Sequence, residues 1–309
     1  MRADKYGRIV GAYSYTPLRY TPLRPYRLHI VREAAEDPLA ATRAMLDRIE
    51  NLDKRAQQAA LRFLSAWRKD IVAEIATAKD FEAFRLPKLL NSVDRLAEDW
   101  AEKYGIETKD LLKRGFDVGV DKVDLPIRAA GIEISLPAPS LSILQASQRA
   151  TVDFIAGLSR DAAQAIKREI LLGANGGRTP FEVIEEVGRN LEDPSVFGTI
   201  ANRAEVITRT EIGRIQSIAT QVRQEDAKKI VPGLQKQWLS SFVQRTNHMA
   251  INKQIREVEE PFDVPAAPRL PAEQLMFPRD PNGSAGNTIN CGCQSLPYKE
   301  DWGLEQLAA

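Results

Sequence analysis

Cysteine and histidine are scarce in this chain. Its 309 residues include two cysteines and two histidines. The cysteines, Cys291 and Cys293, are separated by a single residue, so they cannot join distant segments as the bridges of a disulfide framework do. We therefore expect a protein of a reducing compartment. General acid–base chemistry would have to use carboxylates or His248.

Other common signals are also missing. The 43 basic and 42 acidic residues nearly cancel, so overall charge gives no argument for nucleic acid or a membrane surface. There is no run of about 18 apolar residues, so we expect no membrane span. The basic N-terminus has no apolar segment of a secretory signal. The glycine-rich stretch 173–180 lacks the strand and the Lys-Ser/Thr tail of a phosphate-binding loop.

Residues 1–36 differ in composition from the rest of the chain and are predicted to form an extended, basic, tyrosine-rich arm. Residues 1–28 hold six basic residues and five of the seven tyrosines, and their prolines exclude a regular helix. One interpretation is a loosely ordered terminus. The other is an arm that docks on a protein or on nucleic acid. The candidate partner-binding residues are Arg2, Lys5, Tyr6, Arg8, Tyr13, Tyr15, Arg19, Tyr20, Arg24, Tyr26 and Arg27.

Residues 37–230 are predicted to form an elongated helical region. Asp37 is a good N-cap and Pro38 suits the first helical position. Apolar residues then recur every three or four positions without Gly or Pro over 39–79, which predicts a helix roughly 60 Å long. Further helices are predicted over 88–115, from Ser140 to the glycines at 173, over 180–191 and over 199–229, with a loop and a short strand over 123–140.

Helical periodicity is lost in residues 231–309. Seven prolines lie within 234–300, among scattered aromatic residues. This pattern predicts a small, loop-rich α+β module that contains the cysteines and His248. The predicted fold class is therefore mainly α, an elongated helical bundle with a small C-terminal α+β module.

Three residues of this module could carry chemistry: His248, Cys291 and Cys293. A Cys–His nucleophilic pair is one interpretation, but no oxyanion loop or orienting third group accompanies it. Zinc is another, because thiolate and imidazole are its preferred ligands, although a fourth ligand is absent from the pattern. The third is plain packing, with buried thiols and a hydrogen-bonded histidine. These alternatives stay open, and no catalytic residue is predicted.

A second group of polar residues lies on the last long helix, in the stretch ITRTEIGR at 207–214. Arg209 can pair with Glu205 one turn before it, and Glu211 can pair with Arg214. This spacing predicts ion pairs on a helix surface or between helices.

The order of these motifs resembles a known family. Arg209-Thr210-Glu211 on a helix is followed by Trp238, then Arg245-x-x-His248, then a proline-rich stretch, then Asn290-Cys291-x-Cys293. Over roughly 140–297 this resembles the phage Mu F-like minor head proteins, the head-morphogenesis family of tailed phages. The resemblance implies that the segment 287–296 folds back so that its thiols meet the Arg245–His248 segment.

The resemblance also implies a function. It implies a minor capsid protein bound to the portal and the inner head, acting in capsid assembly and in DNA packaging or ejection. The implied partners are the portal protein and the major capsid protein, with packaged DNA as a further candidate. The implied location is the virion head near the portal, and the host cytoplasm during assembly. No enzymatic activity and no cofactor are expected, zinc being the one candidate.

Two other functions compete with this interpretation. One is a phage-encoded enzyme or toxin-like effector whose C-terminal module performs metal-assisted chemistry. The other is a cytoplasmic helical scaffold unrelated to phage. The scarcity of histidine and of paired carboxylates favours the minor capsid protein over the enzyme.

Overall fold

The chain is mainly helical, with a small C-terminal α+β module, as predicted. The computed structural model describes residues 2–3, 9–10, 37–77, 85–188, 191, 195–241 and 246–307. The helices are α1 (Pro38–Thr77), α2 (Leu86–Ala129), α3 (Leu141–Gly176), α4 (Pro180–Val187), α5 (Val196–Lys228) and the short α6 (Ala285–Thr288). The strands are β1 (Arg2–Ala3), β2 (Ile9–Val10), β3 (Gln235–Leu239), β4 (Ile255–Glu257), β5 (Phe262–Val264), β6 (Glu273–Leu275) and β7 (Gln294–Tyr298).

Only β1 and β2 are described within the predicted N-terminal arm. They pair antiparallel, Arg2 opposite Val10 and Ala3 opposite Ile9. The remainder of 1–36, with most of the candidate partner-binding residues, lies outside the described residues, so the docking arm stays a prediction.

The helices begin where local sequence signals place them. The Asp37 carboxylate accepts a hydrogen bond from the Leu39 amide at 2.9 Å, which caps α1. Ser140 caps α3. Thr179 and Glu182 exchange the reciprocal hydrogen bonds of a capping box at the start of α4. These caps satisfy amides that would otherwise have no partner in the first turn.

The predicted loop over 123–140 is wrong in its first part. Helix α2 continues through Pro126 to Ala129, and the loop begins only after it. A proline inside a helix removes a backbone hydrogen bond. The side chains of this last turn compensate, because Val123 and Ile127 are fully buried and the carboxylate of Asp124 binds a buried arginine.

The residues form two compact units, each built from separate stretches of chain. Unit 2 comprises Leu46–Val118 and Ser140–Gln216. Its core contains stacked indoles, Trp67 on Trp100 at 4.8 Å, with the Phe197 ring edge-on to Trp67 at 5.2 Å.

Unit 1 comprises Met1–Met45, Gly119–Pro139 and Ser217–Ala309. It contains an antiparallel sheet of order β4-β3-β7 and the β5–β6 hairpin. The domains predicted from the sequence, with boundaries after residues 36 and 230, are continuous stretches of chain and differ from these two units. That division stays a prediction.

Helical residues of unit 1 contact its sheet and loops through buried polar groups. The Gln221 amide donates to the Val258 carbonyl at 2.7 Å. The Lys236 ammonium, on β3, donates to the Gln221 amide oxygen at 3.2 Å and to the Met276 carbonyl at 2.7 Å. These contacts hold β3 in place, and β3 positions the site described next. Within the described residues, no helix has an apolar stretch long enough to cross a bilayer.

Candidate metal centre

Strand pairing places the two thiols at one end of the sheet. Cys291 and Cys293 immediately precede β7, which pairs with β3 so that Gln294 lies opposite Leu239. Side chains two residues apart in an extended segment point to the same side, so the single-residue spacing aims both sulfurs in one direction. Asn290, just before them, has φ +52°, a left-handed conformation that asparagine tolerates better than most residues.

His248 reaches the same place from a short 3-10 turn, His248–Ile251. Backbone hydrogen bonds attach the chain after this turn to β3: the Lys253 amide donates to the Trp238 carbonyl at 2.7 Å, and the Trp238 amide donates to the Gln254 carbonyl at 2.9 Å. The imidazole lies edge-on to the Trp238 indole, with 5.2 Å between ring centroids. The histidine is therefore held by both its backbone and its ring.

Three potential metal-ligand atoms converge as a result. The Nδ1 atom of His248 lies 3.6 Å from the Cys291 sulfur and 3.5 Å from the Cys293 sulfur. All three atoms lie within 4.8 Å of one another. The three side chains are buried, with the residues 1%, 2% and 1% exposed in chain order. They form a cluster that could hold a metal ion.

The cluster is enclosed by apolar side chains. Both cysteines belong to one hydrophobic core with Trp238, Phe262 and Leu275, which also includes Ile251 and Val264. The Trp238 ring is edge-on to Phe262 at 5.1 Å. Since the thiols have almost no contact with solvent, their burial disfavours a nucleophilic Cys–His pair.

The electrostatics favour one negative charge on the pair of sulfurs, at Cys293. A hydrogen bond from Cys291, followed in size by one from His248, lowers the pKa of Cys293 in spite of its burial. The hydrogen bond to Cys293 and burial both raise the pKa of Cys291 well above its ordinary value. The Arg279 guanidinium opposes that rise, and its Nη1 donates to the Cys293 carbonyl at 3.3 Å. A buried cation beside the thiols favours thiolates, the form that binds metals.

Hydrogen bonding alone satisfies this cluster poorly. The Nδ1 atom has either one proton or one lone pair, so it cannot make two well-directed bonds to two sulfurs. Among the described residues, the buried Nε2 atom has no hydrogen-bond partner in either tautomer. One metal ion satisfies Nδ1 and both sulfurs together, because each then needs only a single directed lone pair.

The two sulfur–nitrogen separations match those of a tetrahedral zinc site. With zinc–sulfur bonds of about 2.3 Å and zinc–nitrogen bonds of about 2.0–2.1 Å, tetrahedral angles place sulfur and nitrogen about 3.5–3.6 Å apart. The two observed separations are 3.6 and 3.5 Å. The donor set of two thiolates and one imidazole is the kind that zinc prefers. The residues therefore fit zinc in their chemistry and in the two sulfur–nitrogen separations.

An open groove lies beside the cluster in unit 1. Its volume is about 510 Å³, and Ile251, Asp263 and Glu273 are among its lining residues. Both carboxylates are occupied by neighbours: Asp263 accepts from Arg256 and Gln274, and Glu273 accepts from the Ser284 amide and Asn287. Hydrogen bonds from Gln274 and Arg256 lower the pKa of Asp263. These acids therefore join neighbouring strands and turns and do not form an acid–base pair.

The structure brings together four of the residues singled out in the sequence: Trp238, His248, Cys291 and Cys293. Asn290 adjoins them, and Arg245 lies outside the described residues.

The remaining three, Arg209, Thr210 and Glu211, belong to α5 in unit 2. Glu211 pairs with Arg214, as predicted. Arg209 has Asp53 of α1 as its partner at 3.7 Å, where the spacing suggested Glu205, and Thr210 is buried.

Sequence reasoning missed two buried cations near the thiols, Lys122 and Arg279. The Lys122 ammonium donates to the Gln294 amide oxygen at 3.0 Å. Burial, and next the Arg279 charge, lower the pKa of Lys122 to about 7. The only sequence signal for Lys122 is that its helical neighbour Val123 is apolar, which is too weak to separate a buried lysine from a surface one.

One comparison with known proteins gives a partial similarity. The chain is 27% identical over 142 residues to the NAD(+)–arginine ADP-ribosyltransferase EFV of Enterococcus faecalis. The aligned part covers 44% of this chain, and the chain spans only 26% of that enzyme. No protein-family model matches the chain, and no solved structure matches it. The partial similarity to an enzyme stands against the expectation of a non-enzymatic protein, without overturning it.

Proposed function

We propose that this chain is a minor head protein of a tailed phage, which binds the portal and the inner head during capsid assembly and DNA packaging or ejection. The observation that carries the proposal is the convergence of Trp238, His248, Cys291 and Cys293. The histidine and the thiols are up to 45 residues apart in sequence, yet they meet in one buried core. Those are residues on which the resemblance to the Mu F-like proteins rests, in the arrangement that it implies.

In this proposal the cluster has a structural role, and the ion it holds is zinc. Unit 1 builds its C-terminal part from short strands and long loops, with a small apolar core. A structural zinc contributes folding free energy directly, because the unfolded chain has no formed site. His248 and the cysteines would join the turn after β3 to the segment before β7.

The portal interaction is tested by co-expressing the chain with the portal protein encoded in the same genome. We expect the two proteins to co-purify and to co-sediment as a ring-sized assembly. An unrelated phage's portal protein is the control for specificity. If the chain sediments alone while the portal protein assembles normally, the proposed function is wrong.

The zinc is tested separately, by elemental analysis of the purified full chain. We expect one zinc per chain, lost in Cys291→Ser, Cys293→Ser and His248→Ala. His29→Ala, which changes the other histidine of the chain, is the matched control and should keep its zinc. A metal-free wild-type protein that folds normally would leave apolar packing as the role of the cluster.

The similarity to EFV favours one second candidate, an enzyme that transfers ADP-ribose. In that reaction the C1′ carbon of the NAD⁺ ribose forms a bond with an arginine guanidinium nitrogen, nicotinamide leaves, and a proton is released. This candidate is weaker, because the similarity covers under half of the chain and about a quarter of the enzyme.

The two candidates separate in one assay. The chain is incubated with NAD⁺ labelled in the adenylate and with an arginine-containing acceptor, against a heat-denatured control. The minor head protein should transfer no label above the control. Transfer together with stoichiometric release of nicotinamide would establish the enzyme instead.

A further inference from the structure

The cluster leaves one vertex of a tetrahedron to be filled. His248, Cys291 and Cys293 offer one ligand atom each, and the described part of the chain adds no other histidine, cysteine or carboxylate to the group. Structural zinc sites almost always have four protein ligands, whereas catalytic sites keep a position open. The identity of the fourth ligand therefore decides which kind of site this is.

One side-chain oxygen lies at the expected distance from one of the three ligand atoms. The hydroxyl oxygen of Ser241 is 3.7 Å from the Cys293 sulfur. For an oxygen ligand about 2.0–2.2 Å from zinc, tetrahedral angles predict an oxygen–sulfur separation of about 3.5–3.7 Å. The neighbouring hydroxyl, that of Ser240, is 4.0 Å from the same sulfur, outside this range.

Ser241 lies just beyond the paired end of β3. The β3–β7 register pairs Leu239 with Gln294, and one step further along it brings Ser240 level with Cys293. The Ser240 amide donates to the Asn252 side chain at 2.9 Å, which fixes the end of β3. Ser241 follows directly, and it is exposed while the other three residues are buried.

We infer that Ser241 is the fourth ligand of the zinc site, through its hydroxyl oxygen. This rests on the zinc of the proposed function and adds the residue that completes its coordination. A neutral hydroxyl is a weaker ligand than a thiolate or an imidazole. The ion is therefore enclosed on three sides by the core and closed on the solvent side by a ligand that is easily displaced, so zinc exchanges through this face.

The test replaces zinc by cobalt(II), whose absorption reports both the number of thiolates and the coordination number. The wild-type chain should show two thiolates and tetrahedral geometry. Ser241→Cys should show three thiolates, and its zinc should leave more slowly to a chelator. Ser65→Cys adds an exposed thiol on α1 in unit 2 and is the matched control. Its cobalt spectrum should equal that of the wild type.

Ser241→Ala completes the test. Loss of one oxygen ligand should weaken zinc affinity at least about tenfold, the lower end of the effect of removing a supporting group at a metal site. If Ser241→Cys adds no thiolate and Ser241→Ala binds zinc as tightly as the wild type, water fills the fourth position and the inference is wrong. In that case the wild-type protein still binds zinc, and the zinc of the proposed function stands. If wild-type protein binds neither cobalt nor zinc, the proposed zinc itself fails.

Discussion

Arg223 and Asp124 form a two-pronged ion pair in the interior of unit 1. The guanidinium Nε donates to one carboxylate oxygen at 2.6 Å, and Nη2 donates to the other at 2.5 Å. Both side chains are almost fully buried, 5% and 8% exposed. The arginine also donates to the Pro137 carbonyl at 2.9 Å. One guanidinium thus ties α5 to the end of α2 and to the loop that follows it.

Removing this arginine should be costly. Arg223→Ala leaves the Asp124 carboxylate buried without its partner, and we expect a loss of about 3–5 kcal/mol in the free energy of unfolding. The measurement is unfolding in urea, monitored through the hydrogen exchange of the unit 1 amides.

Arg256→Ala is the matched control for this change. Its ion pair with Asp263 is also short, 2.5 Å, but more exposed, so we expect a loss of under about 1 kcal/mol. Similar losses from the two substitutions would contradict the role assigned to burial.

The buried Lys122 predicts a rise of stability with pH. Its pKa is about 7 in the folded protein, below the ordinary value of 10.5 that applies when the chain is unfolded. Between these values the unfolded chain binds the additional proton, so raising the pH stabilises the folded state. Below about pH 7 both states are protonated and this contribution is flat.

The Lys122 contribution is isolated by substitution. Lys122→Met should be more stable than wild type at pH 7, and this advantage in unfolding free energy should shrink as the pH rises to 10. Only the wild type gains stability when its lysine loses its charge. Lys54→Met, at an exposed lysine of α1 in unit 2, should give a difference independent of pH. A constant difference for Lys122→Met would show that this ammonium is solvated.

Removal of the proposed zinc should destabilise unit 1 selectively. A strong chelator, or Cys293→Ser, should increase hydrogen exchange in β3 and β7, since the ligands join the segments next to these strands. Amides of the Trp67–Trp100 core should keep their protection. Equal loosening of both cores would indicate that the cluster supports more than unit 1.

The N-terminal arm is predicted to dock on protein. Deleting residues 1–28 should reduce incorporation of the chain into portal-containing assemblies. Docking through tyrosines should weaken little with added salt, whereas each phosphate contact to duplex DNA contributes a slope of about −0.9 in log affinity against log salt. Normal incorporation of the truncated chain would contradict docking, and loss of DNA affinity alone would favour nucleic acid.

Local signals carried most of the helix prediction. Asp37, Ser140 and Thr179 mark helix starts through contacts within three residues, which are visible in sequence. The end of α2 was missed because it depends on Asp124 meeting Arg223, 99 residues away. The local sequence shows Pro126, which predicts a break in the helix, but it does not show that Arg223 will bind Asp124.

The same distinction applies to the site. The meeting of Cys291 and Cys293 with His248 was expected from the resemblance to the Mu F-like proteins, not from the spacing of these residues alone. The buried Arg279 and Lys122 could not be predicted, because burial of a cation depends on the complete tertiary packing around it. The position of Ser241 likewise depends on tertiary structure, because this residue lies just beyond the paired end of β3.

The two units can complete their folding at different times during synthesis of the chain. All of unit 2 lies before residue 217, so its segments can leave the ribosome and pack while the rest is still being translated. Unit 1 needs β7 to complete the sheet with β3, and β7 follows both thiols. Until that strand emerges, the edge of β3 that pairs with β7 has no partner strand. A nascent chain stalled between β3 and β7 therefore exposes an unpaired strand edge, and chaperone binding should peak in that interval.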